Sequence, residues 1–115
     1  MKKTFSMKYN RDFKRLYLKG KSVCGGYLVM YYRKAKVPNN VLGITVTKKL
    51  GKAVVRNRIK RLIRESYRLK EDLIASGYYI VFVARNKAVG ASFEKISHDM
   101  SFLLKKSGII PPSEE

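Results

Sequence analysis

A single-domain α+β two-layer sandwich, with elements in the order α-β-β-α-β-α, is the fold these 115 residues predict. Two observations carry that expectation. Apolar residues recur at helical spacing in three segments, and between them lie short runs of β-formers bounded by turn residues. The length suits one domain spanning 1–115, large enough to bury a core. A hydrophobic fraction of 45% argues against disorder. There is no internal repeat and no low-complexity tract.

In chain order, Asn10 can cap a short helix over 11–19, where Phe13, Leu16 and Tyr17 share a face and Gly20 is a natural stop. GYLVMYYRK (26–34) is rich in β-formers and reads as a strand. After the Pro38-Asn39-Asn40 turn, VLGITVT (41–47) is a second strand, expected to pair with the first as a hairpin. In it Leu42, Ile44 and Val46 face one way, and Gly43, Thr45 and Thr47 the other. From Lys52 the period becomes helical: Val55, Ile59, Leu62, Ser66, Leu69 and Leu73 form a stripe fit to dock on a sheet. Ser76-Gly77 ends it, and YYIVFVA (78–84) is apolar enough for a strand covered on both faces. Ser92 caps a last helix with Phe93, Ile96, Met100 and Leu103 inward; Gly108 and Pro111-Pro112 stop it. Residues 109–115 read as a flexible tail.

Charge narrows the function. The formal net charge is +18, from 26 basic and 8 acidic residues. Such an excess strains the compact state by self-repulsion, so a polyanionic partner is expected, nucleic acid ahead of an anionic membrane surface. No stretch approaches the roughly 20 apolar residues of a membrane span. MKKTFSMKYNRDFK starts basic without the apolar run of a signal peptide. Cys24 stands alone, which excludes a disulfide framework and a cysteine zinc cluster, and reads as a small half-buried strand residue. A soluble cytoplasmic polyanion binder is expected.

The charge concentrates on the second helix. Arg56, Lys60, Arg64 and Arg68 fall at i, i+4 spacing opposite the apolar stripe, with Asn57 and Arg61 on the same solvent arc. Lys48, Lys49, Lys52 and Arg56 crowd its N-terminus, where the macrodipole is already positive. That is poor for stability and well suited to phosphates. A charge run is usually a merely solvated face, but such faces mix Glu with Lys, and between Lys52 and Lys70 the one acid is Glu65. Arginine grips phosphate bidentately and stacks on bases, while Asn57 can reach a 2′-OH or a base edge.

TKKLGKAVVRNRIKRLIRE resembles the RNR signature of the protein subunit of bacterial ribonuclease P, with Arg56-Asn57-Arg58 followed by Lys60, Arg61 and Arg64. NRDFKRLYLKGKS (10–22) and YYIVFVARNKA (78–88) are similar to the family's first helix and to its strand and basic exit loop. The resemblance implies a non-catalytic protein component that joins a catalytic RNA to remove the 5′ leader of precursor tRNA. Magnesium is held mainly by that RNA, and no obligate protein partner or membrane is involved. It implies that the cations from Lys48 to Arg68, with Arg58 and Asn57, meet the catalytic RNA. A cleft between the first helix and the sheet then takes the single-stranded leader, with Phe13, Tyr17, Tyr31, Arg85 and Lys87 as its contacts. Where many members carry Lys after Arg85, Asn86 intervenes before Lys87. A left-handed β-α-β crossover is implied as well, against the right-handed rule.

The residues allow such a cleft. Aromatic platforms in a positive groove hold single strands at about 1–3 kcal/mol per stacked base. Tyr27, Val29, Tyr31 and Arg33 share one face of the first strand, Leu28, Met30 and Tyr32 the other, and the first set is the more wettable. The plain alternative is that Phe13 and Leu16 only dock the helix. No protein active site is legible: His98 lacks a partner nucleophile, and Asp12, Glu65, Glu71, Asp72 and Asp99 show no paired or metal-ligating spacing. Gly25-Gly26 and Gly51 read as bends outside any P-loop pattern. Other classes weighed are a small ribosomal protein, a protein-only nuclease and a helix-turn-helix DNA reader. Three ordered matching segments, the missing carboxylate clusters and the strand after the basic helix speak against them in turn.

Overall fold

The computed structural model describes residues 4–111. Its elements are β1 (Thr4–Ser6), α1 (Asn10–Lys19), β2 (Lys21–Cys24), β3 (Leu28–Lys34), β4 (Asn40–Thr45), α2 (Ala53–Lys70), β5 (Tyr78–Ala84) and α3 (Phe93–Ser107). One sheet in the order β1-β4-β5-β3-β2 takes all five strands. β4 runs parallel to β1 and β5, while β3 is antiparallel to β5 and β2. The two strands expected as a hairpin are therefore not neighbours, because β5 lies between them. Its sequence carries the reason: Ile80 and Phe82 enter one core while Val81 enters the other, so β5 is apolar on both faces and takes the centre.

The main core packs α2 and α3 on one sheet face, around Leu28, Met30, Ile59, Ile63, Phe82, Met100 and Leu103. The opposite face is not bare. Leu16 of α1, Met7 and Val81 form a second small core with Phe13, Tyr31 and Val83 against it. The expected two layers thus gain a partial third, since the apolar face of α1 needs cover as much as the sheet does. Gly43 sets how close α1 can come: a Cβ there would lie 2.6 Å from the Phe13 ring.

Three boundaries differ from expectation. Asn10 is the first helical residue of α1 and makes no capping bond; Tyr9 is the cap position. On α2 the buried residues are Ile59, Ile63, Ser66 and Tyr67, whereas Leu69 and Leu73 are exposed. The segment expected as a tail is packed at its start: Ile109 and Ile110 are buried, Ala75 N–H donates to Ile109 O (3.0 Å) and Ile110 N–H to Leu104 O (3.1 Å). The rest of that segment, 112–115, lies outside the described residues. Ser92 does cap α3, its Oγ accepting from Lys95 N–H at 3.3 Å. Cys24 lies on β2 as expected but is exposed, since β2 is an edge strand.

Two buried polar clasps fix the loops. The Asp99 carboxylate on α3 accepts backbone N–H bonds from Gly26 (3.1 Å), Tyr27 (2.9 Å) and Leu28 (2.9 Å). Gly25 lies against that carboxylate so closely that a Cβ would collide with it. At the other end of the sheet, Asn40 Nδ2 donates to Ala75 O (2.9 Å) and its Oδ1 accepts from Tyr78 N–H (2.8 Å). The Tyr67 phenol bonds Thr4 Oγ1 at 2.9 Å, tying β1 to α2. Burial pushes the Tyr67 phenol above its usual pKa.

Candidate nucleic-acid interface

α1 and β3 bring the three expected aromatics together. Phe13 and Tyr17, one helical turn apart, have ring centroids 6.4 Å apart, and Tyr17 meets Tyr31 edge-on at 4.8 Å. The Tyr17 hydroxyl bonds Thr45 Oγ1 of β4 at 2.9 Å. A groove of about 420 Å³ opens beside this cluster, lined by Asn10, Phe13, Lys14, Tyr17, Ile44, Thr45, Val46 and Lys60. Tyr17 is 38% exposed while Phe13 and Tyr31 are half-buried. Phe13 thus packs against the second core and lines the groove at once, while Tyr31 stands beside the groove.

Lys60 is where the structure departs most from the sequence pattern. It belongs to the cationic row of α2, yet it reaches the groove that holds Phe13 and Tyr17. Arg64 joins it in a smaller adjoining hollow with Phe13, Leu42 and Gly43. The cause is geometric. An i, i+4 row advances about 40° per step around a 3.6-residue helix, so Arg56 to Arg68 wind across α2 rather than run straight along it. β1 pairs with β4 only through Leu42, which leaves the rest of that edge open for Lys60 to approach.

The other cations of α2 divide by their partners. Arg56 Nε donates to Gly51 O (3.1 Å) and Arg58 Nη2 to Ala91 O (3.2 Å), which fix the first two turns of α2 to the loop before it and to the loop before α3. Arg68 pairs with Glu65 at 2.6 Å; the hydrogen bond from Arg68 lowers the Glu65 pKa and the same bond raises that of Arg68. Lys48, Lys49, Lys52, Asn57, Arg61 and Arg64 are exposed, and none of their side chains has a hydrogen-bond or ion-pair partner among the described residues. Arg61 and Arg64 border a further groove with Leu62 and Phe93, between α2 and the start of α3.

Arg85 and Lys87 sit apart from the aromatic cluster, at the exit of β5, where they line a small hollow with Gly26 and Asn86. Arg85 Nη1 donates to Gly25 O at 2.7 Å, in the loop that Asp99 clasps. Asn40, Tyr67 and Asp99 are support residues: the sequence alone reads Asn40 as a turn residue and Asp99 as an unpaired acid, and does not single out Tyr67. Only the buried fraction of each side chain reveals them, and no pattern in the chain carries that. Among the described residues no three His, Cys, Asp or Glu side chains gather, and the Asp99 oxygens accept backbone N–H bonds. No helix among those residues is long and apolar enough to cross a membrane.

Fold and surface together define a small basic α+β domain that presents unpaired cations beside an aromatic groove. The family model for ribonuclease P matches residues 1–108. The chain is 43% identical over 110 residues to the ribonuclease P protein component of Alkaliphilus oremlandii, covering 96% of both chains. It is 47% identical over 109 residues to that of Lachnoclostridium phytofermentans, covering 95% of this chain and 94% of the relative. The structure of the Staphylococcus aureus RNase P protein matches with a TM-score of 0.85 and 36% identity, over 92% of this chain and 97% of that one. This chain belongs to the ribonuclease P protein component family.

Proposed function

We propose that the chain binds the catalytic RNA of ribonuclease P through α2 and seats the single-stranded leader of precursor tRNA on the α1 face, while the RNA carries out the cleavage. The observation that carries this reading is the Phe13–Tyr17–Tyr31 cluster beside Lys14 and Lys60. Phe13 and Tyr17 line one groove with these lysines and Tyr31 meets Tyr17 beside it, so rings for bases lie next to point charges for phosphates. The unpaired cations Lys48, Lys49, Lys52, Arg61 and Arg64 are free to neutralise phosphates of the catalytic RNA. Arg85 and Lys87 extend the leader surface beyond β5. Magnesium, in this reading, is held by RNA, and the protein's share is to lower the phosphate repulsion that opposes its binding.

Adding the purified protein to its cognate catalytic RNA at near-physiological magnesium should raise the rate of leader removal; an unchanged rate overturns the assignment. Phe13→Ala and Tyr31→Ala should each erase the preference for precursor over mature tRNA, with a loss of about 1–3 kcal/mol confined to the precursor. Equal loss of both affinities would reduce these rings to packing.

A further inference from the structure

At the end of the sheet opposite the first turn of α2, the C-terminus of α1, the start of β2 and the end of β3 converge on a cavity of about 360 Å³. Lys19, Lys21, Arg33 and Lys34 ring it, and Tyr32 and Tyr78 form part of its wall. All four cations are exposed, and none has an ion-pair or side-chain hydrogen-bond partner among the described residues. Lys19 complements the negative end of the α1 dipole. The three strand cations have no such reason. Lys21 lies directly across from Tyr32, and Lys34 across from Tyr78, so each lysine stands beside a ring that is anchored in the main core.

Four unpaired like charges around one hollow repel one another, and a polyanion relieves that repulsion. Lysines beside ring walls match the alternating phosphates and bases of a single strand. A membrane plane would meet the cations but not the recessed wall. Arg33 lies two residues past Tyr31 on the same face of β3, about 7 Å away, and also lines the hollow. A strand that has crossed Tyr31 thus reaches the lysines by rounding the end of the sheet. We propose that this cavity is a second binding site for single-stranded RNA, placed where a strand that has crossed Tyr31 leaves the protein. The inference rests on the leader reading above. The same chemistry can come from the far part of a leader or from an unpaired strand of the catalytic RNA.

The test uses the assembled ribonucleoprotein with Lys21→Ala/Lys34→Ala, both at exposed positions. Affinity is measured for precursors with a leader too short to pass Tyr31 and with one several times longer. Affinity of the protein for the catalytic RNA alone is measured in parallel. If the far leader occupies the site, the variant binds the short-leader precursor as the parent does and loses the gain from lengthening. Raising salt from about 50 to about 200 mM should then cost it about sevenfold less long-leader affinity, as each lost single-strand contact lowers the salt slope by about 0.7. If the catalytic RNA occupies it, the same reduction appears in binding to that RNA and is indifferent to leader length. Unchanged affinity and slope in both arms overturn the site. Tyr31→Ala run alongside separates the two proposals: if it erases leader preference while Lys21→Ala/Lys34→Ala does nothing, only the second site falls.

Discussion

Tyr67 shows how one side chain can bind a peripheral strand to the centre of the molecule. Its ring is fully buried on α2, and its hydroxyl reaches Thr4 on β1 and lies 3.5 Å from Asn40 Nδ2. Tyr67→Phe keeps the ring and loses those bonds, so the unfolding free energy should fall by about 1 kcal/mol at neutral pH. The pH dependence has a definite sign. Burial raises the phenol's pKa above the ordinary value of 10.0, so the neutral form stabilises the fold below that value, and this contribution is lost as pH climbs through the folded-state pKa. The gap between Tyr67→Phe and the parent should therefore narrow above about pH 10 in denaturant titrations. A constant gap would mean that the phenol is not shielded. Lys70, whose pKa burial lowers, is common to both proteins and cancels in the comparison.

At the scale of elements, α2 divides its cations between two surfaces. Arg61 and Arg64 are unpaired, so replacing both with Ala should flatten the salt dependence of catalytic-RNA binding by about two in slope, with little change in unfolding midpoint. An unchanged slope places them away from that RNA. Much of α2 was legible, because a helix with one apolar side announces its inner face. Its end was not: the expected 4-3-4-3 spacing repeats every 3.5 residues, and a 3.6-residue helix drifts from it by about 20° per heptad. By the last turns the inner face has moved to Ile63 and Tyr67, and the 3-10 turn at Glu71–Leu73 leaves Leu73 outside. β1 and β2 were illegible for another reason. They are three and four residues long; β1 is held by β4, distant in sequence, and β2, though it turns straight into β3 as a hairpin, carries Lys21 and Ser22 with no apolar alternation. The aromatic groove was readable because i, i+4 on α1 and alternation on β3 are local rules. Lys60's place in it depends on where β1 stops, which no local rule contains.

Across the whole molecule, an excess of 18 positive charges confronts a chain whose described acids are partly committed to structure, Asp99 to a loop and Glu65 to Arg68. Screening should therefore stabilise the free protein. Raising sodium chloride from about 10 to about 150 mM shortens the Debye length from about 30 to about 8 Å. If this relieves about 1 kcal/mol, the melting temperature should rise by about 4 °C or more. A midpoint indifferent to salt would show that the repulsion is already dispersed. The open run of β4 past Leu42 has a consequence of another kind. An unpaired strand edge is a template on which copies of a protein can zip into aggregates. Here Lys60 stands over the uncovered stretch, and Lys21 stands on the outer strand at the opposite side of the sheet. Two molecules that approach edge to edge bring like charges together before any backbone bond can form. The cations proposed to hold RNA would thus also oppose edge-to-edge pairing of the free protein.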